Sequence, residues 1–157
     1  MHSRHPDILV RPIAPGDAEQ WRPLWDGYNA FYGRSGATAL DDQVTAQTWR
    51  RFFEPGSNMH ALVAEAGGRV VGLAHCVVHP STSRLAPVCY LQDLFTAPGL
   101  RGRGVGRALI DGVKAFALQA GCSRVYWHTQ SSNAAARLLY DQTAEHLGFI
   151  VYSAELG

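Results

Sequence analysis

No Gly-Lys pair occurs anywhere in these 157 residues. The phosphate loop of nucleotide triphosphatases needs G-x-x-x-x-G-K-[ST], so that way of holding a nucleotide is excluded. No Asp or Glu lies between Gly112 and Tyr140. A dinucleotide fold needs an acid about 20 residues past its glycine turn to hold a ribose hydroxyl, which disfavours that class too. Cysteine is scarce: Cys76, Cys89 and Cys122 are widely spaced, with no C-x-x-C. That argues against a disulfide framework, and each sits in an apolar setting, as expected of reduced core residues in a cytoplasmic protein. Seven histidines are present, but none forms H-E-x-x-H or pairs with cysteine at ligand spacing, so no metal is expected. No apolar run reaches membrane-spanning length, and Met1 to Asp7 has none of the apolar core of an export leader. A net charge of +1 offers no bulk attraction to nucleic acid or to an anionic membrane.

What is present reads as one domain, 1–157, long enough to bury roughly two thirds of its surface. Its most informative stretch runs from Tyr90 to Leu109, YLQDLFTAPGLRGRGVGRAL. It reads as a strand, a turn, a glycine- and arginine-rich loop, and a helix start. Glycines let backbone approach a ligand, the first helical N–H groups point outward unpaired, and the helix dipole adds partial positive charge. Arg101, Arg103 and Arg107 add full charges. Leu94 to Tyr140 carries six basic residues against one acid, Asp111, so the local field suits an anion. A pyrophosphate is the natural guest. Gly102 and Gly104 fit the start of G-x-G-x-x-G, but Arg107 stands where the third glycine belongs.

Periodicity predicts strands at Ile8–Ile13, Val88–Ala97, Arg124–Thr129 and Phe149–Glu155. Met59–Ala66 and Arg69–His79, joined at Gly67-Gly68, predict a hairpin. Helices are expected from Asp17 to about Tyr32, from Asp41 or Asp42 to Phe53, over Val105–Ala120, and over Asn133–His146. Asp17 and Gln20 have capping-box spacing. Pro23 suits only a first turn, which would move the first helix start toward Arg22. Trp21, Trp25, Tyr28 and Phe31 or Tyr32 form one stripe, read as core or, alternatively, as a wall of an acceptor pocket. Val105, Leu109, Val113, Phe116 and Ala120 are the expected inner face of the third helix.

Arg101-Gly102-Arg103-Gly104-Val105-Gly106 satisfies [QR]-x-x-G-x-[GA] at each fixed position. Before it, DLFTAP is similar to L-x-V-x-P, with Thr96 in place of Val. Beyond it, Asn133 to Tyr140 satisfies N-x-x-A-x-x-x-Y, and Leu147 to Phe149 supply Leu-Gly-Phe. In this order, the motifs resemble the GCN5-related N-acetyltransferases, the GNAT superfamily, from about Met59 to Tyr152. The long LYDQTAEHLGF segment resembles a subset near the yeast histone and polyamine acetyltransferases.

The resemblance implies an α/β (α+β) GNAT fold, a single mixed, mostly antiparallel sheet of six to seven strands flanked by about four helices. It implies acetyl-CoA as co-substrate and direct transfer to a primary amine. The expected acceptor is a small molecule such as a polyamine or amino-acid-like amine. A protein lysine or N-terminus, or a non-catalytic acyl-CoA-binding module, are the alternatives. By resemblance, the backbones of Leu94 and Thr96 pair with the pantetheine, and the N–H of Phe95 or Leu94 faces the thioester carbonyl. Arg101, Gly102, Arg103, Gly104, Val105, Gly106 and Arg107 cradle the pyrophosphate. Asn133 bonds the pantetheine or a phosphate, or else only caps its helix. Tyr140 protonates the departing thiolate, a role suited to a neutral phenol of pKa ~10. The polyamine-type relatives often carry Glu-Asp where this chain has Gln92-Asp93, and Gln92 cannot take a proton. Asp93 is the preferred base, with His75, His128 and ordered water as alternatives. A homodimer is common among such proteins.

Overall fold

The computed structural model describes residues 7–157. Most of the stretch considered for an export leader therefore lies outside the described residues. Strand β1 (Ile8–Pro12) leads through a 3-10 turn (Pro15–Asp17) into helix α1 (Ala18–Phe31). Helix α2 (Asp42–Arg51) follows, and Asp41 caps it by accepting from the Gln43 amide at 2.8 Å. Strands β2 (Met59–Ala66) and β3 (Arg69–His79) form the expected hairpin. Gly67 and Gly68 both hold positive φ, as a two-residue turn of this twist demands. Then come β4 (Val88–Thr96), α3 (Val105–Gln119), β5 (Val125–Tyr126) and α4 (Ala134–Thr143).

The sheet order is β1-β2-β3-β4-β5. Every pairing is antiparallel except β4 with β5, which is parallel and short. Helix α3 packs on one face over Leu62, Ala64, Val71 and Ala74. Its buried residues are Val105, Leu109, Ile110, Val113 and Ala117, so Phe116, expected inside, stays only partly buried. Helices α1 and α2 cover the other face with Trp21, Trp25, Tyr28, Trp49 and Phe52.

Four expectations need correction. Among the described residues five strands form rather than six to seven, because Phe149–Glu155 makes no strand; β5, expected over Arg124–Thr129, holds only Val125–Tyr126. A strand needs a partner, and the C-terminal residues have none here. Helix α1 starts at Ala18 and runs through Pro23. Proline removes one backbone bond, but Trp21, Leu24 and Trp25 are buried around it and hold the helix. Asp17 and Gln20 make no capping box. Asp17 accepts from Arg11 at 2.7 and 2.9 Å, and the Gln20 side-chain carbonyl accepts from the Val70 amide at 2.8 Å. The last helix ends at Thr143, three residues short of His146.

Candidate active site

The site begins with a bulge. Leu91 opposes Cys76 and Asp93 opposes His75, so Gln92 is an extra residue on β4. The bulge changes which backbone groups face β3. Before it, the Cys89 amide donates to the Arg124 carbonyl beyond the β4 edge. After it, the Ala97 amide donates to Val71 on the β3 side. Alternation then turns the Phe95 amide to β3 and leaves the N–H and C=O groups of Leu94 and Thr96 facing the other way. On that side β5 has already ended, since its pairing stops at Tyr90–Tyr126. Strands β4 and β5 therefore part, and the open β4 edge lines a cleft.

Gln92 and Leu94 form one wall of this cleft, Tyr28 of α1 and Tyr32 at its C-cap another, and Trp127 and Tyr140 a third. Tyr140 lies on α4, with its ring edge-on to Trp127 at 5.5 Å. Burial pushes its phenol above the ordinary tyrosine value. Tyr28 also lies well above that value, through burial first and the nearby Asp93 charge second. Both hydroxyls thus remain protonated through neutral pH.

Asp93 stands behind the cleft on the α1 face. Its Oδ2 lies 2.9 Å from His75 Nδ1. The other ring nitrogen, His75 Nε2, accepts from the Trp21 indole N–H at 3.1 Å. An indole can only donate, so Nε2 carries no proton and the His75 proton sits on Nδ1, facing Asp93. His75 is buried on every side, against Trp21, Trp25 and Phe52. It is not free to meet a substrate. Its partner at sheet register, Asp93, is the acceptor of that fixed proton.

The arginine loop follows β4. Gly102 and Gly104 hold φ of 77° and 87°, a region L side chains avoid. Gly104 is the N-cap of α3 and supplies no side chain. The first intrahelical bond of the turn is Ala108 N–H to Gly104 O. The amides of Val105, Gly106 and Arg107 thus lie in the unpaired first turn, an anion-binding arrangement. Gly106 also sets the approach of α4 to α3, since a Cβ there would meet Leu139 at 3.2 Å.

The other basic residues divide. Arg101 lies over the Phe95 ring at 5.4 Å and Arg103 is exposed. Arg107 turns instead to α4, donating to Gln142. Asn133 caps α4, its Oδ1 accepting from the Ala136 amide at 3.3 Å. His128 sits by the cleft, bonded to the Tyr90 hydroxyl at 3.2 Å.

The strand split lies beside a glycine-arginine helix start, with the half-buried Tyr140 across the gap. The family model for the acetyltransferase (GNAT) family matches residues 21–149. The chain belongs to the GNAT family. It is an acetyl-transferring enzyme of that family, similar over 147 residues to the D-amino-acid N-acetyltransferase HPA3 of Saccharomyces cerevisiae. Identity is 33%, covering 92% of this chain and 89% of the relative. The uncharacterized N-acetyltransferase YhfO of Bacillus subtilis is 28% identical, covering 91% and 94%. Among solved structures, AAC(6')-Iy in complex with a CoA-containing bisubstrate analog superposes with a TM-score of 0.79 at 20% identity, covering 96% of this chain and 99% of that one.

Two parts of this acetyltransferase's site escaped sequence reading. Trp127 carried no motif, and its only signal was its place within a predicted strand. The Trp21–His75–Asp93 chain links residues 54 and 18 positions apart, beyond any local pattern. His75 and Asp93 stood as rival bases; the structure brings them together as a pair.

Proposed function

We propose that this enzyme takes its acetyl group from acetyl-CoA and delivers it to the primary amine of a small molecule, by direct attack in a ternary complex. The observation that carries the reading is the meeting, in one cleft, of the open β4 edge, Tyr140, Tyr28 and Tyr32. The residues fit an acyl-CoA. A bare strand edge suits the amides of a pantetheine arm, and the uncapped α3 turn suits a pyrophosphate.

Acetyl-CoA supplies an acetyl group already activated as a thioester. The protein's share is alignment and proton handling. Leu94 and Thr96 pair with the arm by backbone, and the Leu94 N–H, not that of Phe95, is the donor to the developing oxyanion. The first-turn amides with Arg101 and Arg103 hold the pyrophosphate, and Arg107 steadies the loop against α4. Asn133 keeps its amide NH₂ for the cofactor while its oxygen caps the helix. The acceptor ammonium loses its proton toward Asp93, through the Tyr28 hydroxyl or ordered water. The His75 Nδ1–H fixes the carboxylate. Tyr140 gives its proton to the departing thiolate.

Among small amines, an amino-acid-like acceptor fits best. The Arg34 guanidinium lies 5.8 and 5.6 Å from the Tyr28 and Tyr32 ring centroids, and its Nε is held by Asn29 at 2.7 Å. A cation beside the cleft favours an acceptor with a carboxylate and disfavours a polyamine. The similarity to an enzyme named for D-amino acids supports the same choice.

Calorimetric titration with acetyl-CoA, with ATP and NAD beside it, tests the co-substrate. Free-thiol release with amino acids, polyamines and peptides then tests the acceptor. Selective acetyl-CoA binding and thiol release with amino acids is expected. Binding without thiol release from any amine would make the chain a sensor module instead. Arg34→Ala should raise KM for an amino acid about tenfold, roughly 1.4 kcal/mol, and leave KM unchanged for the same amine without its carboxylate.

A further inference from the structure

Strand alternation gathers a group of rings beside the cleft, on the α1 face of the sheet. Cys89 and Leu91 of β4 are buried in the α3-side core, and Val78 and Val125 pack against it. Neighbours in a strand face opposite ways, so His79, Tyr90 and Tyr126 point to the other face. Tyr90 and Tyr126 are partners at sheet register, and His128 joins them through the Tyr90 hydroxyl. None of these side chains belongs to the buried core under α1 and α2. His79, Tyr90 and Tyr126 are half-buried, and His128 is exposed.

Together the rings make a shelf. Tyr90 and Tyr126 stack with centroids 5.0 Å apart and planes at 25°. The His128 ring lies 5.2 Å from Tyr90, and His79 stands edge-on to Tyr126 at 5.8 Å. Their polar ends are tied. The Pro80 carbonyl can only accept, so His79 Nδ1, 2.8 Å away, carries the proton. In the neutral ring His79 Nε2 then accepts from the Tyr126 hydroxyl at 2.7 Å. The Tyr90 hydroxyl is bonded to His128 Nδ1 at 3.2 Å. With both hydroxyls held, the shelf meets a ligand mainly with aromatic surface.

Shelf and cleft are continuous. His128 lines the cleft. Burial and the nearby Asp93 charge hold the Tyr90 phenol above its ordinary value. An amino-acid acceptor has its amine in the cleft toward Asp93 and its carboxylate toward Arg34, at the α1 wall. Its side chain is left for the β5 side, where His128 opens onto the shelf.

We propose that the shelf of Tyr90, Tyr126 and His128 receives the acceptor's side chain and selects an aromatic one. This rests on the reading of the acceptor as a small primary amine. Aromatic rings meet edge-on or offset and gain more than their buried area alone gives. A cationic side chain is disfavoured, because the Arg124 guanidinium already lies 4.7 Å from the Tyr126 centroid.

Thiol release with phenylalanine, alanine and glutamate in both hands, and with phenethylamine and ethylamine, tests the proposal. Phenylalanine and alanine differ by the ring, as do the two simple amines. Phenylalanine and phenethylamine differ by the carboxylate, so the ring preference is measured whether or not Arg34 selects a carboxylate. Within each pair the aromatic member should have a kcat/KM about 30-fold higher. Tyr126→Ala should lower that ratio about tenfold, chiefly through KM, whereas Tyr126→Phe keeps the ring and should keep the ratio. Circular dichroism checks the fold of each variant. His128→Ala, at an exposed position, should lower the ratio too and serves if Tyr126→Ala misfolds. Turnover without a ring preference, or a ratio that neither alanine variant moves, overturns the proposal and leaves the amine reading standing. A preference for glutamate would make the shelf an anion site built on Arg124, and overturns it as well. No thiol release from any of these amines overturns both readings together.

Discussion

The two faces of the sheet are built from different materials. Under α3 the core is aliphatic: Leu62, Leu109, Ile110 and Val113 meet with Cys76, Cys89 and Cys122, and among the described residues no buried charged side chain joins them. Under α1 and α2 it is aromatic and polar. Trp21, Trp25 and Phe52 surround a fully buried His75, with Asn29 and Thr45 also buried. Each of those polar groups has a partner: His75 with Trp21 and Asp93, Thr45 with the Trp25 indole at 3.1 Å, Asn29 with the Trp25 carbonyl at 2.9 Å. Buried polar groups are costly unless satisfied, and indoles supply donors from within an apolar wall. The α3 face therefore holds the sheet and presents the arginine loop. The α1 face gives up some apolar packing to keep a carboxylate fixed behind the cleft.

Substitutions on the two sides should separate stability from chemistry. Leu109→Ala, in the aliphatic face, should cost about 2–5 kcal/mol of unfolding free energy and leave turnover per folded molecule unchanged. Denaturant melts beside activity normalised to folded fraction would check it; a comparable fall in normalised turnover would erase the distinction. Tyr140→Phe should do the reverse. Turnover should fall roughly 100-fold with acetyl-CoA affinity and melting temperature nearly unchanged. Because burial holds this phenol above its ordinary value, the parent should keep its turnover past pH ~10, and the variant should lack the alkaline limb.

His75→Phe probes the aromatic face itself. It keeps the ring but removes the proton held toward Asp93, so His75 is here a positioning residue. Turnover should fall about tenfold, with a changed acid limb of the pH–rate profile and unchanged KM for acetyl-CoA. A variant that only loses stability, with its pH profile intact, would reduce His75 to a packing role. The smallest effect is expected at the anchor of α1. Arg11 holds Asp17 through two short hydrogen bonds and keeps its carboxyl below the usual value. The unfolded carboxyl binds its proton near pH ~3.9, the folded one lower, so this contribution is full above the unfolded value and is lost as pH falls through the folded one. Asp17→Asn should lose about 1 kcal/mol at neutral pH and show a flatter stability curve below pH ~4.

The misreadings share a cause. Asp17 and Gln20 have the spacing of a local cap, but Arg11 and the Val70 amide are stronger partners brought in by the sheet. Pro23 breaks an isolated helix, but not one whose neighbours Trp21, Leu24 and Trp25 are buried. Phe149–Glu155 has strand chemistry, and strand chemistry alone forms no strand. The hairpin at Gly67-Gly68 was legible because two glycines with positive φ enforce a turn whatever surrounds them. The extent of the cleft was not. It depends on where β5 stops and on one extra residue, Gln92, in β4.

By itself the sequence determined the hairpin, the α3 helix and the arginine-glycine loop before it, because these rest on φ preference, apolar period and unpaired amides within a few residues. It also carried the order of motifs that marks the family. Only the tertiary structure decided that Gln92 bulges out of β4, that His75 and Asp93 form one unit tied to Trp21, and that Trp127 meets Tyr140. Those are matters of register and long-range contact, and hydrogen bonds between residues 54 apart leave no trace in local spacing.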